Sequence, residues 1–266
     1  MSNTKIHLVI IDPQNDFTHP EGALSVPGAQ EDMARLKTFV NTYGDRLHDI
    51  SVTLDSHHRV DIAHNIMWKN EKGERPQPFT IITKDDVESG RWTTAIPSFH
   101  KRALEYVTKL EENGRYPLCI WPDHCLIGSW GHNVDPQLFE SLLRWEDNFA
   151  MVNYVTKGSN MWTEHYSALK ADVPDPADQS TQINTGFVRA LEDSDYIVIA
   201  GEASSHCVAN TVRDIADALG EEYVSKMVIL KDAMSPVPGF ENLEEDFFKE
   251  MSQKGMKITT TTEFLK

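Results

Sequence analysis

The stretch Ile6-His-Leu-Val-Ile-Ile11 decides the fold class, because it is a nearly continuous apolar run that ends abruptly at Asp12. A strand with one face in water alternates apolar and polar residues, whereas a strand covered on both faces stays apolar along its length. The run therefore predicts a strand inside a parallel sheet. We expect the end of that strand to deliver the Asp12 carboxylate to the edge of the sheet.

Short apolar runs rich in β-branched residues predict the remaining strands, at 51–54, 151–156, 196–200, 227–230 and 257–261. Segments with helical character separate them, at 30–43, 99–110, 136–145, 181–191, 208–219 and 243–251. A chain that alternates strand and helix in this order forms a doubly wound α/β sheet. Residues 58–117 are polar and interrupted by prolines. We interpret them as an elaboration inserted into a single domain, 1–266.

The composition is that of a folded globular chain and disfavours two classes of partner. Of the 266 residues, 40% are hydrophobic and 25% charged, which argues against disorder. The 25 Lys and Arg against 41 Asp and Glu give a net charge of −16, which disfavours nucleic acid and anionic membranes as partners. Three cysteines cannot build a disulfide framework, and the N-terminus has no signal-peptide pattern. We therefore expect a cytoplasmic protein, and a homo-oligomer is compatible with the sequence.

The residues that end the predicted strands are the candidates for chemistry, because open α/β sheets bind ligands beyond the carboxyl ends of their strands. Asp12, Asp55 and Lys157 each follow a strand, and Cys207 lies at a helix start after another. A helix N-terminus lowers the pKa of a thiol, which predicts a reactive Cys207. The alternative is a buried and inert thiol. A nucleophile needs a base, for which Asp12 is the candidate, with Lys157 holding Asp12 charged.

The pair Asp55-Ser-His57 is a candidate metal site, since alternation in an extended segment turns residues 55 and 57 to the same side. A carboxylate oxygen and an imidazole nitrogen suit zinc, iron or manganese. The pair alone is weak, because such pairs are more often solvated, and a third ligand is needed. The candidates are His58, His64, His100, His124 and His132. The rigid turn Trp121-Pro-Asp-His-Cys125 favours His124, with His64 as a less favoured fourth ligand.

Five segments resemble, in the same order, the nicotinamidase branch of the isochorismatase-like cysteine hydrolases. They are Asp12-Pro-Gln-Asn-Asp-Phe17, Asp55-Ser-His57, Trp121-Pro-Asp-His-Cys125, Lys157-Gly158 with His165-Tyr-Ser167, and the segment from Gly201 to Val208. The resemblance implies a three-layer α/β/α fold with a six-stranded parallel sheet. It implies a catalytic triad of Asp12, Lys157 and Cys207. It also implies one divalent metal ion, zinc in preference to iron or manganese, held by Asp55, His57 and His124.

The same resemblance implies how a substrate would lie. In the family a pyridine nitrogen binds the metal, and aromatic residues contact the ring at the positions of Phe17, Trp121 and Tyr166. A cis peptide between Glu202 and Ala203 aims the N–H groups of Ala203 and Cys207 at the substrate oxygen. The implied reaction is hydrolysis of nicotinamide to nicotinate and ammonia through a thioester on Cys207.

Departures from the family pattern affect the substrate more than the chemistry. Ser56 stands where the family often has Trp, Glu202 stands where it usually has an apolar residue, and the insertion offers His100 as a further pocket residue. Two alternatives stay open, a related hydrolase of another small amide and a non-catalytic metal-binding scaffold. A nucleotide-binding module is disfavoured, because the turn after the first strand lacks glycine and carries Asp12 and Asp16.

Overall fold

The computed structural model describes residues 4–265, and within them the chain alternates strands and helices. The strands are β1 Ile6–Ile11, β2 Asp49–Asp55, β3 Trp68–Lys69, β4 Ile81–Ile82, β5 Thr93–Thr94, β6 Leu118–Cys119, β7 Asn153–Lys157, β8 Tyr196–Gly201, β9 Met227–Leu230 and β10 Lys257–Thr259. The helices are α1 Asn15–Thr18, α2 Ala29–Tyr43, α3 Lys84–Glu88, α4 His100–Asn113, α5 Pro136–Glu146, α6 Thr185–Glu192, α7 Ala209–Leu219, α8 Glu221–Val224 and α9 Glu241–Gln253. A π-helical turn, Ser204–Val208, leads directly into α7. None of the helices in this part of the chain has both the length and the apolar character needed to cross a bilayer.

Six strands form one parallel sheet in the order β10-β9-β8-β1-β2-β7. The predicted three-layer α/β/α fold with a six-stranded parallel sheet is confirmed. The register places Ile11 of β1 opposite Gly201 of β8, and Asp55 of β2 opposite Lys157 of β7. Because the strands are parallel, their carboxyl ends meet at one edge, so the residues that follow them are brought together there.

Strand β1 is buried on both faces, which explains its unbroken apolar run. Leu8 and Ile10 pack in a core with residues of α2 and α5 on one side of the sheet. Val9 and Ile11 pack in a second core with residues of α4, α6, α7 and α9 on the other side. Each of these four side chains is fully buried. Two helical layers thus cover the sheet.

The inserted segment contains β3 to β5 together with α3 and α4; β3 pairs with β5, and β4 pairs with β6, which directly follows the insertion, both in antiparallel fashion. Its Trp68 and Ile82 are fully buried. Both belong to the same core as Val9 and Ile11 of the central strand β1. The insertion therefore shares the core on that face of the sheet.

Several predicted boundaries differ from the structure by a few residues, and two of them have a clear local reason. The helix expected from residue 181 begins at Thr185, because the Asn184 side chain caps it by accepting a hydrogen bond from Phe187 N at 3.0 Å. The last strand ends at Thr259 rather than at residue 261, because Asp232 accepts hydrogen bonds from both the backbone N and the hydroxyl of Thr261, each at 2.7 Å. The predictions rested on the pattern of apolar residues, and that pattern does not reveal the hydrogen bonds of Asn184 and Asp232.

Candidate active site

Asp12, Lys157 and Cys207 converge at the carboxyl edge of the sheet. Lys157 Nζ lies 2.9 Å from Asp12 Oδ2 and 3.5 Å from Cys207 Sγ. The other oxygen of Asp12, Oδ1, accepts a hydrogen bond from the Thr53 hydroxyl at 2.6 Å. All of these side chains are buried. The three residues expected to form a triad are therefore neighbours in space, and the catalytic roles assigned to them stay predictions.

Burial governs the ionisation of this cluster. It raises the pKa of the Cys207 thiol well above its ordinary value, with Lys157 opposing the rise and the negative charges of Asp12 and Asp55 adding to it. Burial likewise raises the pKa of Asp12, again opposed by Lys157. Lys157 itself stays charged, because Asp12 and Asp55 outweigh the burial that would lower its pKa.

The expectation that the helix start lowers the Cys207 pKa is wrong. Cys207 does lie at the start of a helix, in the turn Ser204–Val208 that precedes α7. However, its side chain is buried beside carboxylates, and burial, with the charges of Asp12 and Asp55, raises its pKa. The resting side chain is a neutral thiol, so a base must remove its proton before it can attack.

Asp55, His57 and His124 form a second buried cluster beside the first. Asp55 Oδ2 lies 3.0 Å from His57 Nε2 and 3.3 Å from His124 Nε2. One ligand atom from each residue falls within 4.8 Å of the other two. The two imidazoles also pack on one another, with ring centroids 4.8 Å apart. The structure thus brings together the three residues predicted as metal ligands.

The hydrogen bonds of the two imidazoles fit a metal site. His124 Nδ1 lies 2.8 Å from the Pro122 carbonyl, which can only accept, so Nδ1 is the donor. His57 Nδ1 lies 3.1 Å from the Asp61 carboxylate, which accepts, so Nδ1 can be the donor there as well. In a neutral imidazole this arrangement leaves the Nε2 lone pair free, and both Nε2 atoms face Asp55. One oxygen and two nitrogen ligands with outer carboxylate and carbonyl support suit zinc, iron or manganese.

The backbone around Asp55 is built to hold this carboxylate in place. Gln14 clamps it twice, since its Nε2 donates to the Asp55 carbonyl and its Oε1 accepts from Asp55 N, both at 2.7 Å. Gly158 lies opposite, and a Cβ there would approach Asp55 Oδ1 to 2.9 Å. Burial would raise the pKa of Asp55, but the charges of His57 and Lys157 and the hydrogen bonds of His124 and His57 hold it well below its ordinary value.

A narrow pocket opens between the two clusters. About 30 Å³ of it is accessible to the centre of a water molecule, which favours a small, flat ligand. Cys207 and Ala203 line one part of it, and Asp55, His57 and His124 line another. The three aromatic residues expected to contact a substrate ring, Phe17, Trp121 and Tyr166, all line it as well. The peptide bond between Glu202 and Ala203 is cis, as the resemblance implies.

The other candidate histidines do not complete the pocket. His132 Nε2 lies 2.9 Å from the Ser56 hydroxyl, and His100 Nδ1 lies 3.3 Å from the Thr93 hydroxyl. His58 is exposed. His64 is buried with its ring centroid 5.3 Å from that of His57, while its Nδ1 faces the Arg59 carbonyl at 3.2 Å. Among the described residues that line the pocket, none comes from the insertion 58–117, so the expectation for His100 is wrong.

Several residues that line the pocket have no role in the sequence-based prediction, and Glu164 and His206 are two of its titratable members. Burial raises the pKa of Glu164 to about 8, and its Oε2 accepts a hydrogen bond from Trp121 Nε1 at 3.1 Å. Burial lowers the pKa of His206 to about 3, so its ring is neutral. That ring stacks on Tyr116, with centroids 5.2 Å apart. The position of His206 directly before Cys207 was a usable signal, whereas nothing in the local sequence marks Glu164.

Comparisons with known proteins agree with this geometry. No family model matches the chain. It is 26% identical to a nicotinamidase of Saccharomyces cerevisiae over 230 residues, 86% of this chain and 88% of the relative. It is also 26% identical to a nicotinamidase of Escherichia coli, covering 97% of this chain and 95% of that protein. The solved structure of the yeast nicotinamidase superposes with a TM-score of 0.67 at 20% identity, over 96% of this chain and 99% of the other.

This chain is thus similar to nicotinamidases along most of its length, and it shares the fold of the yeast nicotinamidase. The fold likeness extends to more distant members. A pyrazinamidase of Pyrococcus horikoshii, solved in complex with zinc, superposes with a TM-score of 0.56 at 18% identity. That alignment covers 96% of the nicotinamidase-like chain and 99% of the pyrazinamidase.

Proposed function

We propose that this nicotinamidase-like chain is an amidohydrolase that converts nicotinamide and water to nicotinate and ammonia. One observation supports the proposal above the others: the Asp12–Lys157–Cys207 cluster lies against a narrow aromatic pocket that also contains Asp55, His57 and His124. The similarity to two curated nicotinamidases along most of the chain supports the same activity.

The first step needs a base, because Cys207 rests as a neutral thiol. Asp12 takes the thiol proton, and the sulfur attacks the carboxamide carbon to form a C–S bond. The raised pKa of Asp12 makes it a stronger base than an ordinary carboxylate. Lys157, 3.5 Å from the sulfur, offers positive charge to the thiolate as it forms.

Negative charge then develops on the carboxamide oxygen. The backbone N–H groups of Ala203 and Cys207 are the donors proposed for it, a kind of contact that lowers a barrier by about 3–4 kcal/mol. Asp12 returns its proton to the nitrogen as the C–N bond breaks, and ammonia leaves. Water then hydrolyses the thioester, which releases the carboxylate product and restores the thiol.

Substrate selection is assigned to the other end of the pocket. Asp55, His57 and His124 are the residues proposed to hold one divalent metal ion, and the zinc complex of the pyrococcal pyrazinamidase supports zinc. When bound, such an ion supplies a coordination position for a heteroaromatic nitrogen, which favours pyridine carboxamides. Phe17, Trp121 and Tyr166 are proposed to hold the ring between apolar faces.

An ammonia-release assay over a panel of small amides tests the proposal, with the carboxylate product identified by mass spectrometry. We expect nicotinamide to give stoichiometric nicotinate and ammonia. Release from a different amide alone would move the proposal to that substrate. The absence of any release from the metal-loaded protein would instead favour a non-catalytic scaffold.

A further inference from the structure

Glu202 is a fully buried acid directly before Ala203, the residue that begins the proposed oxyanion turn. Its Oε2 accepts a hydrogen bond from Ser235 N at 3.1 Å. Its other oxygen, Oε1, has no conventional donor among the described residues. An ionised carboxylate in that position would leave a charged oxygen unsatisfied in the protein interior.

Glu202 shares Ser235 with another buried carboxyl, Asp32 of α2: the Ser235 N–H donates to Glu202 and the Ser235 hydroxyl donates to Asp32, so the two acids lie side by side. Both oxygens of Asp32 have a donor, since Oδ1 binds Arg35 at 2.6 Å and Oδ2 accepts from the Ser235 hydroxyl at 2.5 Å. Arg35 also donates to the Asp232 carbonyl, so its charge is shared. Two carboxyl groups in contact bond only when one proton lies between them.

The charged groups around Glu202 indicate that Glu202, rather than Asp32, carries this proton. Asp32 faces it from α2, with Arg35 bound to the far side of Asp32's carboxylate group, and Glu244 lies near it on α9. Burial, and then the negative charge of Asp32, raises the pKa of Glu202 well above its ordinary value, and Glu244 adds to the rise. Arg35 compensates Asp32 and does not contact Glu202, so Glu202 is the protonated partner.

Ser235 links this acid pair to the turn that contains Cys207. It accepts a hydrogen bond from Ser204 N at 3.0 Å while it donates to Glu202 and Asp32. Val237 N donates to the Ser205 hydroxyl at 3.0 Å, two residues further along the same loop. The turn 202–207 and the loop 233–237 are thus joined along their length, and the Glu202 carboxyl is one of the joints.

We propose that Glu202 is a positioning residue that acts as a neutral carboxylic acid, donating its proton to Asp32 and accepting the Ser235 N–H to hold the turn 202–207 against the substrate. The kinetic consequence rests on the proposed amide hydrolysis, whereas the protonation of Glu202 does not. Loss of the proton places a second negative charge beside Asp32. Repulsion then displaces the turn, and turnover falls at alkaline pH.

Two variants of Glu202 distinguish a hydrogen-bonding neutral acid from a side chain that only fills space. Glu202→Gln cannot ionise, yet its amide nitrogen donates to Asp32 and its oxygen accepts from Ser235. Glu202→Leu fills the space without either bond. The matched control is Glu245→Gln on α9, which removes an exposed carboxylate from the same region.

In the kinetic arm, kcat is measured against pH for all four proteins. We expect the ratio of Glu202→Gln to wild type to rise about tenfold per pH unit once Glu202 ionises. Glu202→Leu should lose about a hundredfold in kcat at neutral pH, because the turn is no longer held in register. Glu245→Gln should follow the wild type. A Gln-to-wild-type ratio that is flat in pH overturns the proposal, as does a Leu variant equal to Gln.

A second experiment detects the protonation of Glu202 from the pH dependence of Tm. It needs no enzymatic activity, so it stays informative if the chain hydrolyses no amide. The folded chain binds the Glu202 proton more tightly than the unfolded chain. Wild-type stability therefore falls as pH rises from about 4.3, the ordinary Glu pKa, toward the raised folded value. Glu202→Gln lacks this loss, so its Tm should gain on the wild type across that window. A Tm difference that does not change with pH shows that Glu202 is not protonated in the folded chain.

Discussion

Lys157 and Asp55 form a buried ion pair of 3.0 Å between Nζ and Oδ1, and this pair joins the candidate triad to the candidate metal cluster. Asp55 turns its other oxygen, Oδ2, toward His57 and His124. One carboxylate therefore serves both halves of the site. Any change at Asp55 disturbs both, so variants that separate nucleophile from metal must be made at Cys207 or His124.

The nucleophile is tested by Cys207→Ala. We expect turnover to be abolished while the fold, measured by circular dichroism and Tm, is kept, because the removed sulfur makes the bond to the substrate carbon. Cys119→Ala is the matched control, since Cys119 is also buried and burial raises its pKa to about 12, but it does not line the pocket. Near-normal activity of Cys207→Ala would assign the nucleophile elsewhere.

Lys157→Met keeps most of the stem and removes the charge that Asp12 and Asp55 share. Asp12 then loses the cation that pairs with it, and breaking a buried pair costs about 3–5 kcal/mol in the free energy of unfolding. We expect a lower Tm and a large loss of kcat per folded molecule. Lys109→Met, at an exposed position of α4, should change neither quantity. Wild-type kcat in Lys157→Met would remove Lys157 from the triad.

The acid limb of the pH–rate profile should report Asp12. The base must be ionised to act, so kcat/KM should fall as pH drops through the Asp12 pKa. Since burial raises that pKa, the fall should begin above the ordinary Asp range near about 3.9. Asp12→Asn should lower kcat by about 10²- to 10⁴-fold, the contribution of a general base. A wild-type rate that stays flat down to the ordinary Asp range would contradict this assignment.

The sequence predicted correctly those features that follow from the order of the strands or from a local turn. The apolar run before Asp12 predicts a central strand, and parallel pairing then brings Asp55 opposite Lys157. The Trp-Pro turn singled out His124 from five histidines because its rigidity is local. Residues that end neighbouring parallel strands must meet, whatever the loops between them do.

Sequence patterns failed where burial by distant segments decides the chemistry. The helix start before Cys207 is visible in the sequence, but the burial that raises its pKa arises only in the folded chain. Glu164 reads as one acid among many, and only the fold buries it and raises its pKa to about 8. Desolvation is a property of three-dimensional packing, which no local spacing encodes.

The metal prediction separates ring binding from bond cleavage. His124→Ala removes one proposed ligand and should lower the zinc content of the purified protein, measured by elemental analysis. His132→Ala is the control, because His132 bonds Ser56 rather than facing the Asp55 cluster. Equal zinc content in the two variants would show that His124 does not hold the ion.

The substrate comparison then asks what the ion does. Benzamide has the ring and the carboxamide of nicotinamide but lacks the ring nitrogen. If that nitrogen is bound at the Asp55 cluster, nicotinamide should have the much higher kcat/KM, and its advantage should disappear after chelation. Loss of the ion should raise KM strongly and also lower kcat, because the amide is no longer held in line with Cys207. Cys207→Ala should show the opposite pattern, with ligand binding kept and chemistry lost. Equal turnover of both amides by the zinc-loaded protein would show that nitrogen binding does not select the substrate.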